Sequence, residues 1–353
     1  MKTIIAKMFM TIALLIPSID AYASVNENCA IQFPSIPSEI SLAPLTICKA
    51  LDQAIAFINI SPEQIIPVNS KQDAFLQRDY AVYRRHMTDT LFRPDELQAY
   101  VAEDAETLNK ILRDHGFSIQ LKPFRPSEVG IVAIQDIIVT WNKKAEHSTI
   151  QAAGKTYPSF IMDEKNNDIT FFVYHDQENH IIIAEILTQS HDKVYCAVKM
   201  KTIDGQNTVV PFFDYHTENI DDLTVAHTIA QWQQNVKNNP LYSYTFNALE
   251  LPMIMYHAQP SLEWLLKLQL SSGYVVTQAL QEVIFKMNEI GAQAKAAVAI
   301  AIRELSSAHS APQNPLIVNQ PFLLWIERPG MPLPLFAAYL TQEHWAAPPS
   351  FEK

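Results

Sequence analysis

The chain has 353 residues, of which 48% are hydrophobic and 18% are charged. A chain of this length and composition buries a large core, which excludes an intrinsically disordered protein. The formal net charge of −11 at pH 7 makes nucleic acid a poor default partner, and we expect none.

The N-terminal 23 residues have the pattern of a secretory signal peptide. Lys2 and Lys7 form a basic end, residues 8–16 are apolar, and residues 21–23 (Ala-Tyr-Ala) form a small-x-small cleavage site. The apolar run is shorter than the roughly 20 residues that a spanning helix needs. We therefore expect cleavage near Ala23 and a protein secreted to a periplasm or the extracellular space, with no membrane partner.

No linker interrupts residues 24–353, so we expect one domain, and a monomer. The three cysteines, Cys29, Cys48 and Cys196, all lie in this part of the chain. Export permits a disulfide, and Cys29 with Cys48 is the nearer pair in sequence. Three unpaired thiols remain an equal alternative, because spacing alone does not settle geometry.

Two helical stretches are predicted in the first third of the chain. Apolar residues recur at helical spacing from Ile47 through Leu51 and Ala54 to Ile58. Residues 71–116 are predicted to be helical throughout, with a restart at Pro94 because proline suits a first helical turn.

A basic cluster lies in the second of these stretches. Arg78, Arg84 and Arg85 give either a weak binding site for a sulfated glycan or a solvated helix face. Asp79 and Asp89 interleave with the arginines and the chain is acidic overall, so the solvated face is favoured.

The middle of the chain has the pattern of β-strands. Residues 130–141 form an apolar run that ends at Trp141, which predicts one buried strand. Strands separated by polar turns are predicted after it, with helices at 218–237 and 260–270. The predicted strands are residues 159–162, 169–174, 180–187, 193–199, 208–213 and 249–256.

The most informative stretch runs from residue 282 to residue 306. Val283–Met287 is predicted to be a buried strand. From Gly291 onward every second residue is small or apolar, which is a strand pattern, yet the many alanines favour helix. A segment that lies outside a sheet and later enters it is compatible with both the strand pattern and the helix propensity.

This stretch resembles the hinge of the reactive-centre loop of serpins, which follows a strand and has the pattern acidic-x-Gly-Thr-Glu-Ala-Ala-Ala. Ala292 stands where that pattern has Thr, and Gln293 stands where it has Glu. The residues that match the hinge, or occupy its small positions, are Glu289, Gly291, Ala292, Ala294 and Ala296.

Three further blocks support the resemblance. Residues 319–326 and 334–340 are similar to the C-terminal serpin signature, with Ala338 at a usual glycine. Residues 40–47 are similar to a short strand that enters a central helix, with Ala43 at a usual serine. Trp141, followed by basic residues, matches the central-sheet strand beneath the point of loop insertion, the sheet-opening region. The region between the helix and Trp141 is short, as in an N-terminally shortened member.

The resemblance implies an α+β fold with mixed, mostly antiparallel β-sheets, a surrounding set of helices and an exposed reactive-centre loop over about 291–318. It also implies a suicide inhibitor of serine proteases, whose cleaved loop inserts into the central sheet and traps the acyl-enzyme. The alternative is a non-inhibitory binding protein with the same fold. An unrelated exported enzyme or binding domain is the third possibility.

The usual separation from Gly291 places the reactive bond between Leu305 and Ser306, which implies a chymotrypsin-like or elastase-like target. The bond between Arg303 and Glu304 is the competitor, for a trypsin-like target, because the segment that follows is longer than usual. The sequence has no nucleophile elbow, Walker loop or zinc-protease motif. We therefore expect no enzyme activity, no cofactor and no metal site.

Overall fold

The computed structural model describes residues 41–86, 91–125, 128–175, 179–203, 206–210, 246–271, 273–294 and 314–349. All of these residues belong to one compact unit, Pro34–Lys353. None of the helices in these ranges is long and apolar enough to cross a membrane.

Four α-helices lie within the described ranges. They are α1 (Pro44–Ile58), α2 (Ser70–Phe75), α3 (Ala81–His86) and α4 (Ala105–Asp114), and a π-helical turn, Leu76–Tyr80, joins α2 to α3. Helix α1 confirms the predicted helix: Pro44 occupies its first turn and Asn59 ends it in a left-handed conformation. Helix α4 is capped by the Asp104 side chain, which accepts a hydrogen bond of 2.8 Å from the backbone N–H of Thr107.

Strands form the larger part of the described structure. In chain order they are β1 (Ser41–Leu42), β2 (Leu97–Ala102), β3 (Gly130–Gln135), β4 (Ile137–Thr140), β5 (Glu146–Ala152), β6 (Lys155–Asp163), β7 (Ile169–His175), β8 (Asn179–Leu187), β9 (Lys193–Ile203), β10 (Gln206–Val210), β11 (Ala248–Pro252), β12 (Ile254–Ala258), β13 (Gln269–Ser271), β14 (Tyr274–Val275), β15 (Val283–Met287), β16 (Gly291–Ala294), β17 (Pro315–Ile317), β18 (Phe322–Glu327) and β19 (Phe336–Leu340).

The described strands form three larger sheets and two strand pairs. One sheet has the order β1-β19-β18-β9-β8-β7, with β10 also paired to β9. The others have the orders β17-β11-β6-β5 and β12-β15-β16-β4, and β2-β3 and β13-β14 pair separately. Neighbours are antiparallel, except for the parallel pair of β11 and β17. The predicted α+β fold with mostly antiparallel sheets is confirmed.

The sheet that contains β18 and β19 is the centre of the hydrophobic core. Every residue of these two strands is buried. Trp325 stacks on Tyr195 of β9 with ring centroids 4.9 Å apart, and Phe336 stacks on Phe285 of β15 at 4.5 Å. The C-terminal block therefore ties this sheet to the sheet that contains β16.

The prediction of a helix over residues 71–116 is wrong in its middle. Residues 97–102 form β2, which pairs along its whole length with β3. The β-forming residues Tyr100 and Val101 and the partner strand outweigh the local helix signal. Pro94 begins a turn that the Glu96 carboxylate closes by accepting a hydrogen bond of 2.8 Å from the N–H of Arg93.

The prediction of a helix over residues 260–270 is also wrong. Only a short 3-10 turn, Glu263–Leu265, forms there, and β13 follows it. Ile66 exchanges two backbone hydrogen bonds with Gln269, which holds this segment extended. The hydrogen bonds to a distant partner thus outweigh the helix propensity of a segment rich in leucine.

Two predicted strands are each split in two. Residues 130–141 form β3 and β4, which are separated at Asp136. The N–H of Asp136 donates a hydrogen bond of 2.7 Å to the carbonyl of Glu96. Residues 249–256 divide at Met253, whose N–H donates a hydrogen bond of 2.9 Å to the carbonyl of Pro158.

The predicted strand Val283–Met287 is confirmed at both ends, whereas the sequence does not predict β5. The predicted helix at 218–237 and the predicted signal peptide lie outside the described residues.

Candidate functional site: the hinge strand and the slot beside it

The site is centred on β16, which we call the hinge strand. It lies between β4 and β15 and is antiparallel to both. Ala292 is opposite Val139 on one side and Met287 on the other, and Ala294 is opposite Ile137 and Phe285. The first four residues of the predicted exposed loop are thus a central strand of a sheet.

Gly291 begins the hinge strand at a point where no side chain fits. A Cβ atom built on it would lie 2.2 Å from the carbonyl oxygen of Val139. Backbone atoms of neighbouring strands yield far less than a flexible side chain does, so the strand enters the sheet here only with glycine.

The hinge strand is buried on both faces. Ala292 and Ala294 are buried on one face, and their roles as hinge residues stay predictions. Gln293 is 1% exposed on the other face, and neither its amide nitrogen nor its amide oxygen has a hydrogen-bond partner. A buried amide without partners costs about 1 to 3 kcal/mol, so the inserted hinge strand holds a destabilising group.

Trp141 lies directly beneath the entry of the hinge strand. Its indole Nε1 donates a hydrogen bond of 2.9 Å to the carbonyl of Asn288, and its backbone N–H donates 3.1 Å to the carbonyl of Ile290. The ring is buried and stacks on Phe160 with centroids 6.2 Å apart. Trp141 thus holds the turn before the hinge strand by two hydrogen bonds, and its role at a sheet opening stays a prediction.

Glu289 fixes the turn that precedes the hinge strand. Its carbonyl accepts a hydrogen bond of 2.8 Å from the N–H of Ala145. Its Oε1 lies 3.5 Å from the Nζ of Lys144 and 3.2 Å from the Nε2 of His147. The acidic position of the hinge pattern thus lies beside Lys144, between β4 and β5, and His147 of β5.

Beyond Ala294, no described strand joins β3 to the segment that precedes β15. A cavity of about 510 Å³, which we call the slot, separates β3 from residues 276–284. Helix α1 lines its inner side, residues 117–124 contribute to its outer side, and Ala294 lies at its end. Among the described residues, β3 pairs with β2 alone, so its edge toward the slot has no strand partner.

The remaining predicted residues of the loop lie outside the described part of the chain. These are Ala296 and both pairs at the reactive bond, Leu305 with Ser306 and Arg303 with Glu304. Their roles stay predictions.

Within the described part of the chain, the basic cluster makes one ion pair. Arg84 Nε lies 3.8 Å from Asp52 Oδ1, and Arg78 Nε donates 3.3 Å to the carbonyl of Ala74. Arg85 is exposed. The glycan site stays a prediction, and both alternatives remain.

Cys48 and Cys196 are free thiols and are completely buried. Burial raises the pKa of both, and the carboxylates of Asp79 and Asp52 raise the pKa of Cys48 further. Cys48 therefore forms no disulfide in this structure. Cys29 lies outside the described residues.

Sequence reasoning missed two polar side chains that line the slot, Gln278 and Glu282. The Glu282 carboxylate accepts hydrogen bonds from the backbone N–H groups of Ser118 and Ile119 at 2.7 and 2.8 Å. Glu282 precedes a buried strand in the sequence, and nothing there indicates a partner more than 160 residues away.

The two departures from the serpin blocks lie in close-packed positions. Ala338 is buried, opposite Ser41 and Leu324 in neighbouring strands, so its small methyl group replaces the usual glycine hydrogen. Ala43 precedes α1, and its carbonyl accepts a hydrogen bond of 2.7 Å from the hydroxyl of Thr46. The Thr46 hydroxyl thus makes a hydrogen bond at the start of α1, where Ala43 stands in place of the usual serine.

Comparisons with known proteins give a likeness in fold. No protein-family model matches the chain, and no curated protein matches it either. The thermophilic serpin tengpin in its native state is 10% identical, with 88% of this chain and 90% of that chain covered at a TM-score of 0.48. Human thyroxine-binding globulin in complex with thyroxine is 13% identical, with 85% and 91% covered at 0.47. Human glycosylated kallistatin is 12% identical, with 88% and 92% covered at 0.45.

The fold is serpin-like by the placement of its own elements. A short strand enters α1, the β18-β19 hairpin contains the C-terminal block, and β15 leads into the hinge strand above Trp141.

Proposed function

We propose that the chain is an exported, N-terminally shortened serpin that inhibits a serine protease as a suicide substrate. The observation that carries the proposal is the hinge strand, which is already paired between β4 and β15 and whose last described residue, Ala294, lines the slot. A loop that continues in the same direction has a strand-shaped space to enter.

The pairing of the hinge strand sets the register of that entry. Because Ala294 is opposite Ile137, continued antiparallel pairing would bring residue 296 opposite Gln135 and residue 298 opposite Ala133. Alternate residues would face α1, and in the sequence these are Ala296, Val298 and Ile300. None of them is charged, which suits a buried face.

Entry of the loop would stabilise the fold. The edge of β3 toward the slot would gain ladder hydrogen bonds, and the apolar cavity would be filled. The uncleaved chain is then a metastable state with the slot vacant, and cleavage of the loop releases the segment that fills it. The fold itself supplies the free energy that distorts the bound protease.

The chemistry that starts this change belongs to the protease. Its serine Oγ attacks the carbonyl carbon of the reactive bond and forms an ester, while the peptide bond breaks and the new amino terminus leaves with a proton. Insertion of the loop before hydrolysis of the ester would trap the acyl-enzyme. The chain needs no catalytic group of its own for this role.

The reactive bond determines the target class. Cleavage between Leu305 and Ser306 corresponds to a chymotrypsin-like or elastase-like protease, and cleavage between Arg303 and Glu304 corresponds to a trypsin-like one. Intact mass spectrometry of the cleaved protein distinguishes the two, because the C-terminal fragment begins at a different residue.

Secretion and the monomeric state are parts of the same proposal. The signal-peptide pattern of residues 1–23 supports export, and extracellular serine proteases are the targets that an exported inhibitor meets. N-terminal sequencing of the exported protein tests cleavage after Ala23, and sedimentation tests the monomer.

The slot also supports a second candidate, a serpin-fold binding protein without inhibitory activity. Its volume and its largely apolar lining suit a small hydrophobic ligand. In that case the slot would hold the ligand and the loop would stay outside.

A direct experiment decides between the two. Residues 24–353 are incubated with chymotrypsin, pancreatic elastase and trypsin and then examined by denaturing gel electrophoresis. An inhibitory serpin gives a covalent complex with at least one protease. Cleavage of the loop by all three without a complex would contradict inhibition and leave the binding protein.

A further inference from the structure

The acidic residues of the strand beside the slot have the same spacing as the basic residues of the loop. Residues 128–140, which contain β3 and β4, include two acidic residues, Glu128 and Asp136, eight positions apart. Residues 291–303, which begin with the hinge strand, include two basic residues, Lys295 and Arg303, also eight positions apart. Equal spacing allows two pairs of opposite charge to form in a single register.

The pairing of the hinge strand with β4 defines that register. Because Ala294 is opposite Ile137 and the strands are antiparallel, each step forward along the loop is one step back along the strand beside it. Continued pairing would bring Lys295 opposite Asp136, the next residue of each strand. Eight steps further along, residue 303 would lie opposite residue 128. Both charge pairs therefore follow from the register that the structure already has.

Asp136 lies on the face of the sheet away from the main core. Along β3, Ile134 packs with Leu108 of α4, whereas Ile131 packs against the main core on the other face. Ile137, the residue after Asp136, is again part of the main core. Since side chains alternate along a strand, Asp136 shares the face of Ile134, and it is half-buried there.

Glu128 is held just before the start of β3. Its Oε2 accepts a hydrogen bond of 2.7 Å from the backbone N–H of Arg125, and its own N–H donates 3.0 Å to the carbonyl of Arg125. The residue is half-buried and lines the slot. A carboxylate has about four acceptor sites, so the bond from Arg125 leaves room for a guanidinium.

The two basic residues of the loop would lie on the same face as these carboxylates. In the hinge strand, Ala292 and Ala294 belong to the main core, and Gln293 lies on the opposite face. Lys295 and Arg303 are each an even number of residues from Gln293, so continued pairing would place both on its face. The face toward the core would receive uncharged residues alone as far as residue 302.

Alternation by itself does not fix the register of an entering strand. A slip of one residue turns every apolar side chain to the wrong face, but a slip of two residues keeps the faces. After a slip of two, Lys295 would lie opposite Ile134 or Ile138, and both charge pairs would be lost. Opposite charges directly across an antiparallel pair stabilise it, so these charges select one register among those that alternation allows.

We propose that Lys295 with Asp136, and Arg303 with Glu128, form cross-strand ion pairs when the loop inserts, and that these pairs set its register. The inference rests on the proposed function, because the pairs form only when the loop of that inhibitor enters its sheet. On its other side Lys295 would face Ile284, which is uncharged, so the directly opposite charge is that of Asp136. Lys295 is a positioning residue, because it contacts no reacting atom.

The test is a double-mutant cycle measured by the melting temperature of protein nicked between residues 304 and 310, which leaves both basic residues on the inserting side of the nick. Lys295→Asp places a like charge opposite Asp136. Asp136→Asn keeps the shape of its side chain and removes the charge. The matched control is Asp95→Asn, which removes an exposed carboxylate next to Glu96 that lies outside the register.

We expect Lys295→Asp to lower the melting temperature of the nicked protein by about 2 to 4 °C. The loss should fall to about half or less in the Asp136→Asn background and remain whole in the Asp95→Asn background. In about 1 M sodium chloride the difference between the two backgrounds should shrink, because salt screens ion pairs and leaves shape unchanged. Equal losses in Asp136→Asn and in the wild type would overturn the pair.

The same cycle with Arg303→Gln and Glu128→Gln tests the second pair. The nick is made with a protease that does not cleave after Arg303, so that all variants are cut at one bond. The loss caused by Arg303→Gln should be smaller in Glu128→Gln than in the wild type. Equal losses would overturn the pairing at this end of the slot.

The nicked wild type separates this inference from the proposed function. A nicked wild type that melts far higher than the intact protein, with no coupling in either cycle, refutes the ion pairs and leaves the inhibitor in place. A nicked wild type without any rise in melting temperature refutes loop insertion itself, and the ion pairs with it.

Discussion

The indole Nε1 of Trp141 donates a hydrogen bond of 2.9 Å to the carbonyl oxygen of Asn288, across 147 residues of sequence. This bond joins the end of β4 to the turn before the hinge strand. The carbonyl of Ile290 in the same turn accepts a hydrogen bond from the backbone N–H of Trp141. The tryptophan therefore holds the entry of the hinge strand at two points.

Replacement of Trp141 by phenylalanine should loosen the hinge strand. The change leaves the carbonyl of Asn288 without this donor, which costs about 1 to 3 kcal/mol. We expect hydrogen exchange at the amides of residues 291–294 to rise about tenfold or more. The control is Trp264→Phe, which shortens an aromatic side chain packed on Phe75. Equal exchange at 291–294 in both variants would show that Trp141 does not hold the hinge.

Gly291→Val should expel the hinge strand from the sheet. A Cβ at this position lies 2.2 Å from a backbone oxygen, so the strand leaves or the sheet deforms, at a cost of about 1 to 3 kcal/mol. We expect rapid hydrogen exchange at residues 292–294 and new cleavage sites there. Gly154→Ala is the control: its Cβ meets nothing within 4 Å, although its φ of +77° strains the turn. A hinge that stays protected in Gly291→Val would refute the tight fit.

A charge on the entering face should convert the inhibitor into a substrate. Ala294 is buried at the end of the slot, and Ala294→Arg would place an unpaired charge there at a cost of several kcal/mol. We expect the number of inhibitor molecules consumed per trapped protease to rise at least tenfold, with cleavage of the loop unchanged. Lys295→Arg, which keeps a charge that is already present, serves as the control. Unchanged inhibition by Ala294→Arg, or by its combination with Ala296→Arg, would contradict loop insertion.

Stability at acidic pH should depend on a buried ion cluster away from the hinge. Arg328 donates hydrogen bonds to the carboxylates of Glu96 and Asp192 at 2.8 to 3.0 Å. Burial raises the pKa of Glu96, but the bonds from Arg328 and Arg93 outweigh it and lower the pKa. A carboxyl group with a folded pKa below its unfolded value of about 4.3 stabilises fully above that value and loses the contribution as pH falls through the folded pKa.

Glu96→Gln should therefore lower the free energy of unfolding by about 3 kcal/mol at pH 7, because it leaves Arg328 partly unpaired in a buried position. It should also flatten the fall in stability below about pH 4. The matched control is Glu106→Gln, which breaks an exposed pair with Arg113 and should cost less than about 1 kcal/mol. Urea unfolding from pH 3 to pH 7 checks both, and equal losses would show that the cluster is not stabilising.

The sequence predicts those elements whose local pattern and burial agree. Val283–Met287 and the helix from Pro44 are examples, since one face of each is apolar at the period of its structure. The sequence does not predict segments whose structure is set by a distant strand. Residues 97–102 are an example, because their local pattern favours a helix but they pair with β3.

The sequence likewise predicts some residues of the candidate site and not others. The alternation of small residues from Gly291 onward predicts a segment that is able to enter a sheet, and Gly291, Ala292 and Ala294 lie in β16. The degree of insertion does not follow from the sequence, and neither does the hydrogen bond between Ser118 and Glu282, because these two residues meet only through the folded chain.

Insertion of the cleaved loop is tested most directly by the melting temperature of residues 24–353 before and after one proteolytic nick between residues 300 and 310. A strand that enters the slot adds ladder hydrogen bonds and fills the cavity, so the nicked protein should melt on the order of 20 °C higher than the intact protein. An unchanged or lower melting temperature after the nick would contradict loop insertion and the inhibitory mechanism that depends on it.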